Sequence, residues 1–238
     1  MVEEAAVLRI AGLAAVPGLV HGFSTAALGS MRGPGPGRSP ITPERRALAE
    51  ALGLDAGRLT AARAVHGATV ARVDAPGTVA GTCDALVTDR PGQPLLATFA
   101  DCWPALLFDQ DRRALALVHA GWRGTAAGVV AGAVAALRRE YGCRPQDLVV
   151  GLGPGICRRC YEVGEDVAAR FDGVCLQPST TGRFLLDLAA ANRAQLEGAG
   201  VPADQIHEHG ACTRESPELA SHRRCPDGRR FACMAAIV

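Results

Sequence analysis

The chain contains no lysine: all 25 of its basic residues are arginine, and 24 acidic residues leave a formal charge of +1. With aromatic residues at only 4%, neither a basic face nor a set of stacking platforms is on offer, which argues against nucleic-acid binding. No uninterrupted apolar run reaches the ~20 residues of a membrane-spanning helix, and the start, "MVEEAAVLRIAGLAAVPGLV", is acidic where a secretory signal would be basic. A cytoplasmic protein without membrane or nucleic-acid partners, and a monomer, is expected. Disulfide staples are not needed at 238 residues, and nine cysteines is an odd number. Free thiols and a metal site are the better reading.

What is present is enough apolar sequence, 48% of residues, to bury a sizeable core. Residues 26 to 40, "AALGSMRGPGPGRSP", are too rich in Gly and Pro for a regular element and read as a mobile loop. "TPERRALAEALGL" reads as a helix, with Thr42 as N-cap, Pro43 in the first turn, and Leu48 and Leu52 on one face. "ARAVHGATVARVD" suggests strands broken near His66 and Gly67, and "CDALVTD", "PLLATFADCWPALLFD" and "RALALVHAG" read as consecutive buried strands. An Ala-rich helix is expected over 123 to 140, a strand, glycine loop and helix over 147 to 171, and another helix over 185 to 200. The remainder reads as a strand, a polar loop with a short helical turn, and a final strand. This order of adjacent strands and helical crossovers predicts one layered, mixed α/β or α+β domain spanning residues 1 to 238.

His66, Cys102 and His119 each lie at or near the end of an apolar segment. Two imidazoles and a thiolate are a sound zinc set that leaves a fourth position open. The same residues could be a buried thiol with two ordinary histidines, or a Cys-His hydrolase with Cys102 as nucleophile and His119 or His66 as base. Spacing does not separate these readings. Arg123 follows His119 closely enough to receive a substrate anion. Arg223 and Arg224 in "HRRC" are either solvated surface or a phosphate clamp. "GLGPGIC" offers consecutive backbone N–H groups but lacks the signature of a phosphate loop. Cys157 and Cys160 form a CxxC, yet Cys212, Cys225 and Cys233 are too widely spaced to supply a second close pair, so ordinary cysteines are expected there.

Taken together, "HGFST", "VHGATV", "CDALVTD", "FADCWPALLFD", "VHAGWRGT", "GLGPGICRRCYEVG", "LDLAAANRAQL", "ACT" and "SHRR" resemble one family, the multicopper polyphenol oxidoreductases or laccase-domain proteins since described as purine nucleoside phosphorylases. The matching pieces cover almost the whole chain. The resemblance implies a single-domain α/β/β/α-type sandwich with a zinc bound by His66, Cys102 and His119. It also implies phosphorolysis of adenosine, inosine and methylthioadenosine with adenosine deamination, purine nucleosides and inorganic phosphate being the partners. Cys102, His119 and Arg223 are then expected at the reaction centre, with Arg123 and Arg224 near substrate or phosphate. Ala26, Ala64 and His222 depart from the family's usual Arg, Gln and Tyr. A copper-dependent polyphenol oxidase is a weaker reading: six histidines, two of them already assigned, leave too few for an oxygen-reducing copper cluster. A metal-stabilised binding module without catalysis would require a closed fourth position, with Cys157, Cys160 or His222 filling it.

Overall fold

The structure is a computed structural model that describes residues 6–33, 39–77 and 79–238. The chain runs through β1 (Val7–Leu8), α1 (Ala11–Ala14), β2 (Leu19–Ser24), α2 (Pro43–Ala51), β3 (Thr60–Arg63), β4 (Val70–Arg72), β5 (Val79–Thr82) and β6 (Ala85–Thr88). The middle contains β7 (Leu95–Phe99), β8 (Trp103–Asp109), β9 (Ala114–Ala120), α3 (Trp122–Ala126), α4 (Val129–Tyr141) and β10 (Leu148–Leu152). The last third adds β11 (Glu162–Val163), α5 (Glu165–Ala168), β12 (Leu176–Pro178), β13 (Phe184–Leu186), α6 (Leu188–Gly198), β14 (Ile206–Glu208) and β15 (Phe231–Ile237).

Two six-stranded mixed sheets carry the fold, one ordered β1-β2-β15-β7-β3-β5 and the other β14-β10-β8-β9-β6-β4. Alternation along each strand sends side chains to opposite faces. Leu106 and Phe108 of β8, Leu115 and Leu117 of β9, and Leu95, Ala97 and Phe99 of β7 meet Phe231, Cys233, Ala235 and Ile237 of β15 between the sheets. On the outer face of the first sheet, Leu96, Ala232, Met234 and Ala236 pack under Leu48 and Leu52 of the α2 segment. The outer face of the second, with Ala105, Leu107, Ala116 and Val118, is covered by Val130, Val134 and Leu137 of α4 and by Leu188 and Leu196 of α6. The architecture is the expected α/β/β/α sandwich.

Helix α2 starts as its sequence predicts, with the Thr42 hydroxyl accepting the Arg45 N–H at 3.4 Å and Pro43 in the first turn. Residues 26 to 28 of the expected loop form a single 3-10 turn, and residues 34–38 lie outside the described residues. Three expectations change. The Ala-rich stretch is two helices rather than one, because Gly128 adopts φ 79°, a left-handed conformation that interrupts the hydrogen-bond ladder. The helix expected after the glycine loop shrinks to the four residues of α5, and the chain around it forms a small sheet ordered β11-β13-β12. Strands of two or three residues are too short to leave a periodic signal. Finally, "PLLATFADCWPALLFD" is not continuous: Asp101, at φ 85°, turns the chain between β7 and β8.

Candidate metal centre

That turn fixes Cys102. The buried Asp101 carboxylate accepts the Thr213 hydroxyl and the Arg223 backbone N–H, both at 2.7 Å, and the Asp101 carbonyl accepts the Ile156 N–H at 2.9 Å. Three distant segments therefore hold one residue whose left-handed backbone aspartate tolerates better than most. Asp101 does not lie on a regular strand opposite Cys102. It is the tie that orients the turn.

His119 sits on β9 at the register Pro104↔His119. Two residues beyond Leu117, it shares the inner face, where its ring stacks on Phe99 with centroids 4.8 Å apart. His66 comes from the β3–β4 connection at φ 61°. The carboxylate of Asp84, buried just before β6, accepts the N–H groups of Val65 at 3.0 Å and Gly67 at 2.9 Å, one on each side of His66. The Asp84 carbonyl also accepts the His119 N–H at 2.7 Å, so one residue places both imidazoles. Gly121 leaves the necessary space: a Cβ there would stand 2.8 Å from the Cys102 sulfur and 3.4 Å from the His66 ring.

One donor atom from each of His66, Cys102 and His119 lies within 4.8 Å of the others. The triad grades from exposed His66 through half-buried Cys102 to buried His119, so one side is open to a small molecule. Neither ring nitrogen of His119 has a hydrogen-bond partner among the described residues, an arrangement that costs about 1–3 kcal/mol per buried polar atom unless a ligand satisfies it. Burial, then the nearby His66 and Arg230, lower the His119 pKa to about 3, keeping the imidazole neutral. Burial and Asp101 push the Cys102 thiol up to about 12. A nucleophilic thiolate-imidazolium pair needs the opposite shifts, which counts against the Cys-His hydrolase. A neutral His119 imidazole and a thiol that a cation would deprotonate are what a divalent metal requires.

The arginines expected around the site fall in different settings. Arg123, on α3, is exposed and stacks over the Trp122 ring at 4.2 Å. Arg223 lies over Tyr161 at 4.9 Å and donates from Nη1 to the Glu162 carbonyl at 2.9 Å. Both terminal nitrogens of Arg224 are committed to the loop itself, donating to the carbonyls of Thr213, Arg214, Ser216 and Leu219. Arg230 was not distinguished by any motif, yet its charge bears on both Cys102 and His119. It also lines a cavity of about 490 Å³ between residues 25–30 and 217–231. Phe231, in the same wall, stacks on Phe99 at 5.5 Å, so two aromatic rings stand between the cavity and His119. Ala26, at the departure from the family's arginine, faces this cavity and donates its N–H to the Glu218 carbonyl at 2.8 Å.

Two loop readings are corrected. The N–H groups in "GLGPGIC" are not free to hold an anion: those of Gly153, Gly155, Ile156 and Cys157 go to the Pro104, Ala211 and Asp101 carbonyls and the Cys212 sulfur. The CxxC pair is not isolated either, because Cys212 and Glu215 fold against it.

The family described as multi-copper polyphenol oxidoreductase laccase matches residues 23–238. A relative named purine nucleoside phosphorylase, from Deinococcus radiodurans, is 40% identical over 92% of this chain and 88% of its own length. Another, named adenosine deaminase RL5, from an unknown prokaryotic organism, is 36% identical over 79% of this chain and 78% of its own. The crystal structure of YlmD from Geobacillus stearothermophilus superposes with a TM-score of 0.85 at 30% identity, covering 93% of each chain. With the same two-sheet sandwich and a match over nearly its full length, the chain belongs to the multi-copper polyphenol oxidoreductase laccase family.

Proposed function

We propose that this protein is a zinc-dependent purine nucleoside phosphorylase whose metal is held by His66, Cys102 and His119. The observation that carries the reading is the convergence of these donors around a buried histidine with two unpartnered nitrogens. Zinc bound there would supply a net positive charge, one thiolate offsetting half of it, able to attract an anion or polarise a substrate oxygen. The relatives' names supply the substrate class. A nucleoside would approach the metal from the open side at exposed His66.

In phosphorolysis, a phosphate oxygen bonds to the anomeric carbon as the glycosidic bond breaks, and the purine leaves with the bonding electrons and gains a proton. The protein's task is orientation and charge stabilisation. Arg230 and Arg123 have guanidinium donors to offer phosphate, and Arg223 keeps those not spent on Glu162. Arg224 supports them by shaping the loop. Cys102 and His119 act by fixing the metal at the reaction centre, while Phe99 and Phe231 keep water from its inner side. Adenosine, inosine and methylthioadenosine are the proposed substrates, in the cytoplasm of the cell, with the chain acting as a monomer.

The relative named adenosine deaminase favours a second activity at the same site. One assay separates them, run on protein of measured metal content. Inosine yields hypoxanthine only when phosphate is added, and Cys102→Ala abolishes the yield. Inosine cleavage at equal rate without phosphate, or none by metal-replete protein, refutes phosphorolysis. Ammonia released from adenosine without phosphate establishes deamination. Oxidation of a phenol would revive the copper reading, although among the described residues no other cluster contains a histidine.

A further inference from the structure

The CxxC supplies half of a second constellation. Cys157 and Cys160 bracket a short 3-10 turn, Arg158–Cys160, in which the Cys160 N–H donates to the Cys157 carbonyl at 3.0 Å. Fifty-odd residues on, "CTRE" makes a turn of the same span, with the Glu215 N–H donating to the Cys212 carbonyl at 3.1 Å. A bridge between Gly155 and Cys212 lays the two turns side by side. The three sulfurs and a carboxylate oxygen of Glu215 then all lie within 4.8 Å of one another. The Cys160 sulfur is 3.4 Å and the Cys157 sulfur 3.9 Å from Glu215 Oε1, close to the roughly 3.5 Å sulfur–oxygen edge of a tetrahedron with a zinc–sulfur bond of about 2.3 Å and a zinc–oxygen bond of about 2.0 Å.

The surroundings suit thiolates. The Cys157 N–H points at the Cys212 sulfur at 3.3 Å, a hydrogen bond that stabilises a metal-bound thiolate. Arg159 donates to both oxygens of Glu215 at 3.1 Å; it aims the carboxylate and offsets part of the negative charge of a three-thiolate, one-carboxylate zinc site. Cys157, Cys160 and Cys212 are free thiols, and Cys212 is buried.

We propose that Cys157, Cys160, Cys212 and Glu215 bind a second zinc ion that has a structural role. On binding, three S–H bonds give way to S–Zn bonds and the protons pass to solvent. With four protein ligands the site is closed to substrate. Its effect on the first centre is mechanical: residues 155–160 and 212–215 are pinned together, and they include Ile156 and Thr213, two of the three residues that hold Asp101, so the ion braces the turn that presents Cys102.

Zinc counting by elemental analysis of the full chain, after dialysis against a weak chelator, tests this. The wild type is expected to contain two zinc ions per chain, the His66→Ala/Cys102→Ala variant to retain one, and the Cys157→Ser/Cys160→Ser variant to lose that one while keeping the other. Cobalt exchanged into the His66→Ala/Cys102→Ala variant is expected to give about three times the thiolate charge-transfer intensity of a one-thiolate site, in proportion to its sulfur ligands. If either variant fails to fold, the wild type decides alone: two cobalt ions with four thiolates' worth of absorption support the site, and one ion with a single thiolate's overturns it. Loss of all zinc from a folded His66→Ala/Cys102→Ala variant, or a Cys157–Cys160 disulfide in protein purified without reductant, also overturns it.

Discussion

Replacing Asp84 with Asn keeps the side chain's shape and removes none of the proposed ligands, yet zinc affinity at the first centre should fall by about 30-fold. The Asp84 carboxylate, on a residue only 1% exposed, receives two backbone N–H groups that flank His66. Hydrogen bonds to a charged acceptor contribute about 1.5–3 kcal/mol each, and neutral ones about 1 kcal/mol. Asparagine can accept one N–H as a neutral partner and must turn its amide N–H2 toward the other, so the turn loses about 2–4 kcal/mol. The His66 side is open to water, which favours the lower end. His66 is held at φ 61°, a strained conformation for a non-glycine residue, so the loss appears as opening of residues 64–68. About 2 kcal/mol is ~30-fold in affinity, inside the 10- to 100-fold range seen when a ligand's supporting partner is removed. Competition against a chelating dye measures it, with Asp74→Asn, an exposed ion-pair partner of Arg72, as a control that should change stability by less than about 0.5 kcal/mol. A folded Asp84→Asn protein that binds zinc at the first centre within about 3-fold of wild type would refute the claim that this carboxylate holds the histidine turn.

Other outcomes follow from the same geometry. Arg230→Ala should raise the KM for phosphate roughly 10- to 100-fold, the size of one or two charge-assisted hydrogen bonds, with the KM for nucleoside little changed; steady-state kinetics with each substrate varied in turn will show it. Gly121→Ala pushes a methyl group against the Cys102 sulfur and should cost about 1–3 kcal/mol, read as weaker metal binding in dye competition and a lower urea midpoint. Burial lowers the His21 pKa to about 4, and its Nε2 accepts the Ile10 N–H at 3.0 Å. With an unfolded value near 6.5, the unfolded state binds the extra proton first as pH falls, so the folded chain loses about 3 kcal/mol between about pH 6.5 and 4. Urea unfolding across that range should show the slope, and His21→Gln should remove its share.

The layers and most long elements were legible because their signals are local: the short apolar runs of β8 and β9, the Thr42–Pro43 start of α2, the glycine-ended stretch of α6. His66, Cys102 and His119 were visible as interruptions of apolar runs and through motif resemblance. What could not be read was whatever depends on folding distant turns together. Asp84 lies 18 residues from His66 and 35 from His119, and a buried aspartate before a strand has no signature of its own. Arg230 is one of 25 arginines and acquires its place only when β15 meets β7. The Cys212–Glu215 pair carries no cysteine-pair signature, although C-x-x-E has the same reach as C-x-x-C. Gly128 was legible as a glycine in a helix; only the backbone reveals that it adopts φ 79° and divides the helix.

The place of β15 has a consequence for synthesis. It lies between β2 and β7, and the Ser24 hydroxyl waits for the Ala232 N–H, 208 residues later. At about 5–20 residues per second, β2 spends roughly 10 to 40 s on the ribosome without its neighbour. Once β7 has been made, two strands bearing Phe23, Leu95 and Phe99 have open edges until β15 follows. The first sheet, and with it Phe99 and Arg230 around the candidate metal donors, can close only after its partner strand emerges, so assembly of the candidate metal centre is timed by translation of the residues around 231, and a message truncated before them would release a chain that has the three donors but lacks the closing strand.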